Sequence, residues 1–91
     1  MTTVVVVVTG SHEKKIELSE ASERHVLRSF NVTSDANVDM SKALCAALIQ
    51  QMLDLRNKPD ATNAQKRGAS IAITLIEGAQ MAAVKANFSQ E

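Results

Sequence analysis

Lys58-Pro59-Asp60-Ala61-Thr62-Asn63-Ala64-Gln65 is the stretch that decides the fold, because it stops one helix-forming run and starts another. Proline disfavours helix at the residue before it. A helix capped within Thr33-Ser34-Asp35 must therefore end near Asn57. Thr62 and Gln65 have the spacing of a capping box, in which the two side chains satisfy each other's free backbone N–H groups at a helix start. The helix they open extends to about residue 88. Two long helices with so short a break between them predict an antiparallel helical hairpin over 35–57 and 62–88.

Both helices carry more apolar surface than one contact needs. In the first, Leu44, Leu48, Met52 and Leu55 recur at helical spacing, with Lys42 and Cys45 on one edge. In the second, Ile71, Leu75, Ala79 and Ala82 form one row, and Ile73, Ile76 and Ala83 widen it. One partner helix cannot cover that breadth. Gly68, Ala69, Ala72 and Gly78 are read as packing positions that let further helices from other subunits approach closely.

Upstream, Val4 to Val8 is an unbroken β-branched run. It lacks a preceding basic residue and is too short for a signal-peptide core or a membrane span. Followed by Thr9-Gly10-Ser11-His12 as a turn and by the alternating Lys15-Ile16-Glu17-Leu18, it predicts a β-hairpin within residues 1–18. Such a hairpin is marginal alone, and its valine edge invites pairing with another chain. Ser19 caps a short helix over about Glu20 to Phe30, which Asn31 ends, giving a short-helix segment of 19–31. The fold class is thus mainly α: an antiparallel helical hairpin preceded by a short helix, with an N-terminal β-hairpin, in a single homo-oligomeric domain of residues 1–91.

Composition supports assembly and excludes several functions. The chain has 10 Lys+Arg against 10 Asp+Glu, so no net charge draws it to DNA, and the second long helix is too apolar to lie in a groove. More than half of its apolar residues are Ala or Val, and two Phe are its only aromatics, so a lone chain buries a thin core. The single Cys45 excludes an internal disulfide and fits a reducing compartment, the cytoplasm. His12, in a turn, and His25, in a charged helix, have no further ligand at metal spacing. Cys45, between Leu44 and Ala46, reads as a core residue, and Met40, Met52 and Met81 read as gap-fillers. No nucleophile, base, metal or cofactor site stands out, so the chain is read as a non-enzyme without cofactor, and no membrane partner is expected.

What remains is recognition of phosphate. Arg28 lies next to Phe30 and Asn31, Lys42 opens the first long helix, and Lys66-Arg67 lies near the start of the second, with Ser70 on the same face as Arg67. Each group is weak alone. Symmetry multiplies them: a two-fold axis presents Lys42 and Phe30 twice, and a three-fold axis presents Arg67 three times. Cyclic dinucleotides and cyclic trinucleotides have the matching shapes, with two or three phosphates and bases that stack on aromatics. Counting residues from the turn puts Lys42 and Arg67 roughly 10 Å or more apart along the hairpin, enough for separate pockets.

The run Lys42-Ala43-Leu44-Cys45-Ala46-Ala47-Leu48-Ile49, the Pro59 turn and the run Ala72-Ile73-Thr74-Leu75-Ile76-Glu77-Gly78-Ala79-Gln80-Met81 resemble the helical hairpin of the phage anti-CBASS cyclic-oligonucleotide sponges of the protein two type. The resemblance covers about sixty residues. It implies a compact homohexamer that sequesters cyclic di- and trinucleotides, cyclic GMP-AMP among them, without cleaving them, in the cytoplasm of the infected bacterial host. It further implies Lys42 as the phosphate-binding lysine of the dinucleotide site, Phe30 as the stacking aromatic in place of a tyrosine, and Arg67 as the arginine of the trinucleotide site. Two departures stand out: the Val hairpin has no counterpart in that pattern, and Ala82 stands where a tryptophan is common. The competing expectation is a small inhibitor or antitoxin-like protein that docks one protein partner through its apolar helical face.

Overall fold

A computed structural model of the chain describes residues 2–8, 12–26 and 36–88. Strands β1 (Thr2–Val8) and β2 (His12–Leu18) form an antiparallel two-stranded sheet, followed by α1 (Glu20–His25), α2 (Ala36–Arg56) and α3 (Asn63–Phe88). The chain is mainly helical, and α2 and α3 make the expected hairpin. No helix among the described residues is long and apolar enough to cross a membrane.

Local chemistry sets the boundaries. Thr62 N–H donates to Gln65 Oε1 at 2.9 Å, and Gln65 N–H donates to Thr62 Oγ1 at 3.1 Å, so the capping box is formed on both sides. Replacing Thr62 by Ala removes one of these bonds and should cost about 1 kcal/mol. Thermal unfolding followed by circular dichroism should then show a midpoint lowered by roughly 4–8 °C. The two hairpin strands are longer than expected, and they run in unbroken register from Thr2↔Leu18 to Val8↔His12. His12 accordingly belongs to β2 rather than to the turn. Ser19 caps α1, accepting from Ser22 N–H at 3.2 Å. The helix is described as far as His25, where Val26 caps it in non-helical geometry and is fully buried in the core. Residues 27–31, which complete the expected short helix, lie outside the described residues.

The core is built from Leu18, Val26, Ala46, Ile49, Leu53, Ile73 and Ile76. This corrects the expected facing of both long helices. On α2 the buried side is Val38, Lys42, Ala46, Ile49 and Leu53, together with Ala47, whereas Leu44 and Leu48 are exposed. Leu44, Leu48, Met52 and Leu55 instead line a hollow of about 590 Å³ between α2 and the hairpin residues Val6 and Ile16. On α3 the buried row is Ala69, Ile73, Ile76 and Gln80, while Ile71 and Leu75, the latter 68% exposed, face away from α2. Both faces of each helix obey the spacing, and the crossing combines the large Ile49, Leu53, Ile73 and Ile76 with the small Ala46, Ala47 and Ala69, which leaves Leu44, Leu48, Ile71 and Leu75 on the outer faces.

Polar clamps fix the hairpin at both ends. Asn87 Nδ2 donates to Ser41 Oγ at 3.0 Å, and Arg56 Nη1 donates to Ser70 Oγ at 3.3 Å. His25 Nδ1 lies 3.1 Å from Glu77 Oε2 and ties α1 to α3. Gln50 Oε1 accepts from Ser19 N–H at 2.9 Å and holds the start of α1 against α2.

Candidate ligand-binding site

The closed end of the hairpin gathers exposed cations. The first turn of α3 has no acidic residue, so the partial positive charge of its N-terminus adds to Lys66 and Arg67. Arg67 and Ser70 are exposed on α3, and the Arg67 side chain makes no hydrogen bond or ion pair with the described residues. The antiparallel packing brings Arg56, from the last turn of α2, onto the Ser70 hydroxyl. Arg56 was not singled out by the sequence, because its closeness to Ser70 depends on the helix register. The signal available was a cation two residues before the Lys58-Pro59 break. Arg67 also borders the outward row of α3 that continues through Ile71 and Leu75.

Lys42 is elsewhere and in a different setting. It is only 3% exposed, on the buried side of α2. The Ser41–Asn87 clamp places the start of α2 beside the end of α3, level with about residue 85. Arg67 is some 18 residues from that level, about 27 Å along a helix rising 1.5 Å per residue. The two groups therefore do not share a pocket within one chain. Arg28, Phe30 and Asn31, expected beside Lys42, lie outside the described residues.

The groups set aside on sequence grounds have identifiable settings. His25 has Glu77 as its partner, and no group of three or more His, Cys, Asp or Glu residues among those described is arranged to hold a metal. Cys45 is half-buried, and desolvation raises its thiol pKa above the usual cysteine value. At pH 8 the thiolate fraction is reduced, and alkylation by iodoacetamide should run several-fold slower in the folded chain than in urea. A mass-spectrometric time course measures both rates. Of the three methionines read as gap-fillers, Met52 packs against the core, whereas Met40 and Met81 are exposed. Gly68 and Gly78 likewise have open space beside them, since among the described residues a Cβ at either position meets no neighbour within 4 Å outside its own stretch of helix. No protein-family model, curated protein or solved structure matches the chain.

Proposed function

We propose that the protein is a non-catalytic sponge that works as a homo-oligomer, sequestering cyclic trinucleotides at Arg67 and cyclic dinucleotides at a separate site that includes Lys42. The observation that carries this reading is the free, exposed Arg67 at the edge of an uncovered apolar helix face. Copies meeting on the Ile71 and Leu75 face bring their arginines together. A symmetric ring of cations suits a ring of phosphates better than any one basic chain does. Arg56 and Ser70 add a second cation and a hydroxyl to each copy. The sequence resemblance to anti-CBASS sponges points the same way and supplies the setting, immune evasion in an infected bacterial cytoplasm. The dinucleotide half of the reading rests on the sequence resemblance alone, because Lys42 is buried on the inner side of α2 and Phe30, Arg28 and Asn31 lie outside the described residues, and it is the Arg67 end that the geometry supports.

Isothermal titration against cyclic and linear di- and trinucleotides tests this reading. Cyclic compounds binding in preference to their linear counterparts support it, and no heat from any of them removes it. The exposed Ile71 and Leu75 also favour a second reading, an inhibitor that docks one protein through that face. A stoichiometric protein complex with no nucleotide binding would establish that alternative.

A further inference from the structure

We propose that β1 pairs with β1 of a second copy, antiparallel about a two-fold axis through Val5, so that two hairpins become one four-stranded sheet. This rests on the homo-oligomeric part of the reading above and not on its ligand. The sheet has only two strands, and no other strand among the described residues adds to the far side of β1. Backbone donors and acceptors along that side have no ladder partner, which is the template for strand addition.

The two edges of the sheet are not equivalent. Natural edges are protected by charge, proline or a bulge. The β2 edge carries Glu13, Lys14, Lys15 and Glu17, whereas β1 reads Thr-Thr-Val-Val-Val-Val-Val with none of these devices, and its register shows no bulge. α2 packs more closely on β2 than on β1, leaving β1 as the outlying strand. The open edge is therefore the unprotected one.

Register follows from parity. Val4 and Val6 are half-buried on the α2 side, and Val5 is 49% exposed on the other. A slip of one residue would pair inward with outward positions, so only registers that keep the faces survive. Centring the axis on Val5 opposes all seven residues of each strand, with Val4 against Val6 of the second copy. The next permitted register opposes five. Across the outer face the order becomes Lys15, Val5, then the second copy's Val5 and Lys15. Three strand spacings put the two lysines about 14 Å apart, beyond the screening length of about 10 Å at 0.1 M salt. The chain also has surface to bury. It exposes 6491 Å², roughly 1,300 Å² more than a compact monomer of its mass, and a stable interface takes about 800 Å² from each partner.

Oxidative cross-linking of the full chain carrying Val5→Cys tests the pairing, with sedimentation of the reduced protein alongside. Directly opposed strand positions lie within disulfide reach. Val5→Cys should give a covalent two-chain species of about 20 kDa, twice the 9.8 kDa chain. Two controls should not: Thr3→Cys, which in this register faces Val7 and not itself, and Lys15→Cys on the inner strand. The wild-type chain, which holds only Cys45, sets the background. A sedimenting species near 10 kDa would overturn both this pairing and the oligomer. An assembled protein in which Val5→Cys does not cross-link, or in which either control cross-links equally, would overturn the pairing alone. Circular dichroism confirms that each variant retains its helices.

Discussion

Arg67→Ala should abolish binding of cyclic trinucleotides while leaving dinucleotide binding nearly intact. Three copies around one ligand lose three charge-assisted contacts from one substitution, each worth roughly 1.5–3 kcal/mol. The combined loss is at least about 4 kcal/mol, or roughly a thousand-fold in affinity. Folding should not change, because Arg67 is exposed and its side chain makes no hydrogen bond or ion pair with the described residues. The separation from Lys42, about 27 Å along the hairpin axis, is well past the range over which substitutions usually couple. Competition titrations with both ligand classes distinguish the outcomes. Equal loss of both ligands would mean one shared site or a broken oligomer, and sedimentation of the same sample tells those apart.

Lys42→Glu should have the largest effect on the chain itself. Lys42 is 3% exposed on the side of α2 that carries Ala46 and Ile49. A lysine there covers apolar surface with its stem, and Lys42 is not without a partner. The substitution shortens that stem and puts a carboxylate in a setting built around a cation. Breaking a buried charge arrangement costs about 3–5 kcal/mol, a large share of the stability of so small a domain. Lys42→Met keeps the stem and introduces no opposing charge, so it should cost less. Urea denaturation at neutral pH measures both, with the expected midpoints in the order wild type, Lys42→Met, Lys42→Glu. A Glu variant as stable as wild type would contradict the burial of Lys42.

The helical hairpin was legible in the sequence because its signals are local. Pro59 ends one helix, the Thr62–Gln65 box starts the other, and both act within a few residues of where they stand. The facing of the helices was not legible, since Leu44, Leu48 and Leu55 obey helical spacing as well as Val38, Ala46 and Ile49 do. α3 is apolar on two sides for the same reason, and periodicity alone does not say which side meets α2. The expectation that one helix could not cover it agrees with Ile71 and Leu75 lying outside the core. The candidate site divides in the same way. Arg67 with Ser70 could be placed on one face from spacing within a helix. Arg56 could not be added to them, because its approach to Ser70 depends on how two helices slide against each other.

The most direct measurement of the central claim is native mass spectrometry of the protein saturated with a cyclic trinucleotide, followed by recovery of the ligand after denaturation. The expected species is a homo-oligomer carrying one trinucleotide for every three chains, with the ligand released at unchanged mass. A ligand-free spectrum at saturating concentration, one ligand on a single chain, or a linearised product would contradict it.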